Sequence, residues 1–202
     1  LAAFITAQGG TPLNLGIAPD DEGGLRTLAA GARGSDILVT TGGASVGDHD
    51  LVQSVLGDIG LEVDFWRIAM RPGKPLMFGR IGGTFLIGLP GNPVSSFVCA
   101  IMFLAPAIRK MLGMDSLLPE MGNARLGSDL PKNDEREDYL RASLTRNQNG
   151  DMIVTPDGKQ DSSMFATMAR ADALVIRKPF AKMAKAGTPV KFIILKDGIF
   201  SI

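Results

Sequence analysis

The chain has 202 residues, enough for one large domain or two modest ones with a real core. Lys plus Arg balance Asp plus Glu at 21 against 21, so no global basic field points to nucleic acid or to an anionic membrane. The single cysteine, Cys99, excludes an internal disulfide and fits a reducing, cytoplasmic setting, and the lone histidine, His49, cannot by itself build a zinc site.

Taken in order, the chain opens without the basic n-region of a signal peptide. Leu1 to Gln8 reads as the tail of a helix stopped by Gly9-Gly10. Pro12 to Ala18 reads as a short strand ending in Pro19-Asp20-Asp21, where either aspartate can cap a helix whose Leu25, Leu28, Ala29 and Ala32 share one face. Asp36 to Thr40 is an apolar run of strand length, and the pattern Leu51, Val52, Val55, Leu56, Ile59 is helical. Leu61 to Trp66 is another strand, so helix and strand alternate, which predicts a parallel sheet with right-handed crossovers. Leu76 to Ile81 and Thr84 to Ile87 flank Gly82-Gly83, a hairpin that adds an antiparallel pair. The apolar run from Val94 to Ile108 is shorter than the roughly 20 residues a bilayer span needs, so it is predicted as a core helix that Pro106 kinks or splits. Cys99 falls inside it as a small buried hydrophobe.

The composition shifts over Met114 to Gly122, which divides the chain into 1–118 and 119–202. The second part carries short strand-like runs at Tyr139 to Thr145, Met152 to Thr155, Ala173 to Arg177 and Pro189 to Leu195, with one helical piece at Ser163 to Arg170. That pattern predicts a small β-barrel-like domain. The fold class expected is therefore α/β: a three-layer, mostly parallel sheet followed by a β-barrel-like domain.

Three loops are rich in Gly and Pro. Thr41-Gly42-Gly43-Ala44-Ser45-Val46-Gly47-Asp48-His49-Asp50 joins a strand to a helix, which offers unpaired N–H groups to an anion; in isolation it would pass as a tight turn. Arg71-Pro72-Gly73-Lys74-Pro75 adds two cations, and Gly88-Leu89-Pro90-Gly91-Asn92-Pro93-Val94-Ser95 again links strand to helix. Together they are expected to form one site at the carboxyl edge of the sheet.

These three motifs, in this order, resemble the MoeA-type molybdopterin molybdenumtransferases of molybdenum cofactor biosynthesis, related to the E domain of gephyrin. The resemblance runs the length of the chain and implies its C-terminal position in a longer protein, with an incomplete first domain and two further domains elsewhere. It implies transfer of molybdenum from molybdate to the dithiolene of adenylylated molybdopterin, with Mg²⁺-dependent loss of AMP. It also implies a homodimer and a molybdopterin adenylyltransferase as partner. The isolated segment is expected to bind pterin weakly and turn over poorly.

By the same resemblance Asp50 serves the phosphate or Mg²⁺ environment, where the alternative is a helix N-terminal acid favoured by the dipole. Thr41, Gly42, Gly43 and Gly47 contact the pterin substrate, and Ser45 either donates to phosphate or caps the helix. Arg71 and Lys74 carry the oxyanion, with Arg67 a further basic position, and Pro90, Gly91, Asn92, Pro93 and Ser95 shape the third loop. The family usually has lysine where Arg71 stands, an exchange of a compact ammonium for a planar fork. Arg141, by itself a solvated strand residue, and Ser162, by itself a helix cap, are carried over to the molybdate site. The charges from Lys132 to Asp138 read as a solvated loop. Two rival functions remain: an adenylyltransferase or nucleotide pyrophosphatase on the same sheet, and a non-catalytic scaffold of the gephyrin type.

Overall fold

The computed structural model describes residues 1–19, 21–42, 51–161 and 164–195. Its first part contains α1 (Ala2–Ala7), α2 (Glu22–Ala30), β1 (Ile37–Thr41), α3 (Leu51–Asp58), β2 (Leu61–Trp66), β3 (Met70–Arg71), β4 (Met77–Ile81) and β5 (Thr84–Leu89). Four of these strands form a sheet in the order β1-β5-β4-β2. β1 runs parallel to β5, while β4 is antiparallel to both β5 and β2. The sheet is thus mixed, and the expectation of mostly parallel pairing is corrected. Pro12 to Ala18 forms no strand: its backbone is irregular, and Leu13 and Ile17 are 66% and 95% exposed. Without a neighbour to pair with or a face to bury, apolar composition alone does not make a strand.

The three layers follow from which side chains each face presents. Met77 and Leu86 pack with Leu56 of α3 and Ala29 of α2 on one face. Ile87 and Leu89 meet Val98 and Ile101 of a long helix on the other, with α1 docked through an edge-to-face pair, Phe4 and Phe97, at 5.7 Å. The hairpin is where the glycines put it, with Ile81 paired to Thr84 around Gly82-Gly83. At the start of α2 the choice between two caps resolves to Asp21, whose carboxylate accepts from the Gly24 N–H at 2.7 Å. Asp21→Ala is therefore expected to lower the unfolding free energy by about 1 kcal/mol. A urea titration with an unshifted midpoint would show the cap to be idle.

The long helix has three segments: α4 (Pro93–Cys99), a π-helical turn over Ala100–Leu104, and α5 (Ala105–Met111). Pro106 has no N–H and its ring would crowd the Met102 carbonyl in a regular α-helix. The chain answers with a wider turn, in which the Ala105 N–H reaches Ala100 O. By length and composition the whole 19-residue element could cross a membrane. Burial, not shortness, assigns it to the core: Val98, Cys99, Ala100 and Ile101 are at most 1% exposed.

The second part holds β6 (Met121–Leu126), β7 (Glu137–Arg146), β8 (Met152–Pro156), α6 (Phe165–Arg170), β9 (Ala173–Arg177) and β10 (Pro189–Ile194). The order β7-β8-β6-β10-β9, closed by β7–β9 pairing, makes a five-stranded barrel filled by Ala142, Val154, Val175 and Phe192. The two parts are not separate bodies on a string. Tyr139, Met168, Leu174 and Ile193 of the second share one buried cluster with the long helix of the first. β3 also leaves its own domain to pair in parallel with β7, Met70 beside Glu137 and Arg71 beside Asp138.

Candidate functional site

Strand register brings the Gly- and Pro-rich loops to one edge. Thr41 at the end of β1 pairs with Leu89 at the end of β5, and Met77 at the start of β4 pairs with both Gly88 and Trp66. The chain leaving β1, β5 and β2 and entering β4 therefore emerges on the same side. The first and third loops touch. Gly42, at φ +82°, donates its N–H to Leu89 O at 3.1 Å, and a Cβ on Gly91 would stand 3.1 Å from Gly42 Cα. A side chain at Gly91 would have to push the Gly42 backbone back by a few tenths of an ångström, which glycine avoids. Gly43, Ser45, Gly47 and Asp50 lie outside the described residues, so the structure gives them no position here.

In the third loop Pro90 is buried, and Asn92 is the N-cap of α4. Its Oδ1 accepts from the N–H groups of Val94 and Ser95 at 3.1 and 3.3 Å, and the Ser95 hydroxyl donates to the same oxygen at 3.5 Å. Pro93 supplies the first helical residue without an N–H to satisfy. This helix start is closed by its own side chains, so the loop acts as rigid shape more than as an open anion cradle.

The middle loop separates the three cations. Arg67 holds a left-handed backbone, φ +71°, and lays its guanidinium 4.2 Å over the Trp66 ring. Lys74 is exposed and makes no ion pair among the described residues, while its carbonyl accepts from Ile68 N–H at 2.9 Å. Arg71 follows β3 into the barrel domain: Nη1 donates to Asp134 at 3.0 Å, and Nη2 donates to Asn133 at 3.2 Å and to Asp138. Its charge is already matched by two carboxylates. Asp138 is 4% exposed, which corrects its reading as part of a solvated loop.

Arg141 is also corrected. It is 2% exposed, the bulkiest of the fully buried side chains. Among the described residues its guanidinium donates to carbonyls, those of Asp161 at 2.9 Å, Lys159 at 3.3 Å and Met164 at 3.5 Å, and its Nε–H finds no partner there. Burial pulls its pKa down, while Asp157 and Asp161 nearby work against that. A buried cation with a spare donor and no direct carboxylate is a standing attraction for an anion. A cavity of about 40 Å³ lies beside it, lined by Arg71 and Pro72 from one domain and Tyr139, Leu140, Arg141 and Gln160 from the other. By the same measure one water needs roughly 10–15 Å³. Gln160 locks the wall by accepting from Arg141 N–H at 3.0 Å and donating to Arg141 O at 2.9 Å. Ser162 lies outside the described residues.

Volume alone would choose another place, an open groove of about 560 Å³ between Met102, Ile176 and Ile193. Its walls are chiefly apolar, and it lies away from the Gly and Pro loops. Among the described residues no three His, Cys, Asp or Glu side chains converge as a metal site, so no step can be routed through Mg²⁺ from them. Nor is Cys99 a nucleophile, since burial pushes its thiol up to about 12. The sequence reading missed Gln160, Asp134 and Asn133, whose partners lie 19 to 63 residues away along the chain.

Residues 1–110 match the family model of a probable molybdopterin binding domain, and residues 123–195 match the MoeA C-terminal region (domain IV). A mixed sheet bearing glycine loops, sealed against a small barrel, is thus the class of protein that the fold and site define. The chain belongs to the MoeA family of molybdenum cofactor biosynthesis. It is 32% identical over 180 residues to the molybdopterin molybdenumtransferase of Haemophilus influenzae, covering 88% of this chain and 44% of that protein. The protein of the same name from Bacillus subtilis is 30% identical over 201 residues, 97% of this chain and 46% of the relative. A crystal structure of molybdopterin biosynthesis moea protein from Pyrococcus horikosii superposes with a TM-score of 0.77 at 27% identity, covering 96% of this chain and 46% of that one. The chain spans less than half the length of each of these three relatives.

Proposed function

We propose that this chain supplies the oxyanion-holding part of a molybdenumtransferase, which moves molybdenum from molybdate to the dithiolene of adenylylated molybdopterin and releases AMP. The observation that carries this reading is the inter-domain cavity, which is lined in part by Arg141, a buried arginine whose Nε–H has no partner among the described residues. Because the sulfurs belong to the substrate, the protein's task is to position two anions beside each other and to offset their charge. Lys74 and Arg141 supply the cations, and the touching Gly42 and Gly91 turns supply the rigid floor for the pterin. Asp50 is the candidate for Mg²⁺, and a homodimer in the cytoplasm completes the reading. The names of the relatives favour insertion over adenylyl transfer.

The test is molybdate-dependent AMP release from adenylylated molybdopterin by the full-length protein carrying this chain, together with equilibrium dialysis of molybdate against the chain itself. Saturable molybdate binding by the chain and AMP release that stops without molybdate are expected. AMP release indifferent to molybdate, or no molybdate binding, would sink the reading.

A further inference from the structure

Resting on that reading, we propose that Asp138, with Asp134 and Asn133 behind it, is a positioning residue that sets which oxyanion the inter-domain cavity accepts. Arg71 and Pro72 form one wall of the cavity, and Leu140, Arg141 and Gln160 form the other. Arg71 does not stand free there. Its fork is filled by Asp138, Asp134 and Asn133, all from the barrel side of the seam. Those acceptors are themselves fixed. Asp134 takes Arg136 Nη2 at 2.6 Å, and the Asn133 amide donates to the carbonyls of Arg136, Lys178 and Arg177 at 2.7, 3.0 and 3.1 Å. The β3–β7 ladder then places Arg71 beside Asp138, three residues before Arg141 on the same strand. One strand therefore holds both walls, and Arg71 is the strut that fixes their separation.

A lysine could not fill this place. Its compact ammonium has no planar fork to span three acceptors. Charge matching by Asp138 and Asp134 leaves Arg141 as the lining cation without a hydrogen-bonded carboxylate among the described residues. A cavity held this firmly discriminates by radius, and one with a slack wall does not. Asp138 has a second buried oxygen with no partner among the described residues, so it is held there at a desolvation cost that its contact with Arg71 must offset.

The experiment compares sodium molybdate and sodium sulfate, titrated calorimetrically into the full chain, its Asp138→Asn and Arg71→Lys variants, and the more superficial Asp134→Asn. Wild-type chain is expected to prefer the larger molybdate. Asp138→Asn and Arg71→Lys are expected to weaken molybdate about tenfold while leaving sulfate within about threefold, so that the preference collapses. Asp134→Asn should fall between. A preference kept intact in all three variants overturns the strut and leaves the molybdate reading standing. So does an equal loss for both anions that follows a fall in melting temperature, which would mark a merely structural contact. A wild-type chain that binds neither anion overturns both.

Discussion

Arg141→Met should abolish most molybdate binding while leaving the fold nearly as stable as before. The two halves of that expectation have different physical sources. Charge-assisted hydrogen bonds contribute about 1.5–3 kcal/mol each, so losing the buried cation and its spare Nε–H should weaken an oxyanion in the cavity by about 100-fold. Stability is a closer balance. Methionine loses the contacts to the carbonyls of Lys159, Asp161 and Met164, yet it also removes a desolvated charge that has no direct carboxylate partner. Replacing a buried charge by an apolar side chain of similar length is often close to neutral. Arg141→Lys keeps the charge without the fork and should bind molybdate at an intermediate level. Calorimetry with molybdate beside a thermal melt separates the readings. If binding and melting temperature fall together, Arg141 is a structural anchor for Lys159, Asp161 and Met164 and the oxyanion is held elsewhere.

What the sequence disclosed, and what it hid, follows from the range of the interactions. The Gly82-Gly83 hairpin, the strand Leu61–Trp66 and the apolar helix beginning near Val94 rest on neighbouring residues, so pattern alone finds them. β6 does not: its residues, Met121-Gly122-Asn123-Ala124-Arg125-Leu126, alternate poorly and include a glycine. It is a strand because β10 and β8 flank it on both edges. The two-residue β3 has no local signal whatever and exists only through β7. Pro106 announced a disturbance in the long helix, and its form is a π-helical turn that splits the helix into α4 and α5, with Ile101 and Leu104 of that turn buried in the core. The same rule governs the site. The glycine turns were legible as motifs, whereas the alliances of Arg71 reach 62 to 67 residues along the chain and reverse the simplest reading of its charge. Arg141 is buried for a similar reason: Gln160 and the carbonyls of Lys159, Asp161 and Met164 fold back over it.

Gly73→Ala is expected to cost the fold heavily for a single added methyl group. Gly73 sits at φ +123°, outside the region an L side chain adopts readily, and an ideal Cβ there would lie 2.6 Å from Cys99 Sγ. Two separable penalties result. The backbone penalty is on the order of 1–3 kcal/mol, and overlap with a closely packed core adds about 1–3 kcal/mol. Cys99 has little room to yield, being fully buried in α4 with its thiol directed at the Gly73 carbonyl, S to O 3.8 Å. Cys99→Ala in the Gly73→Ala background removes the overlap and leaves the backbone penalty, so the pair should be non-additive by about 1–2 kcal/mol in a urea cycle. The site should register the same coupling. Leu76 N–H bonds Gly73 O at 3.2 Å and Ile68 N–H bonds the Lys74 carbonyl, so a loop lifted off Cys99 carries Lys74 with it. Molybdate affinity should then fall in Gly73→Ala and recover in part in the double variant, because the sulfur beneath the loop fixes the height at which the Lys74 ammonium stands. Strict additivity of the two substitutions would mean that the loop is set by its prolines and its β-ladder, with Cys99 merely filling space below it.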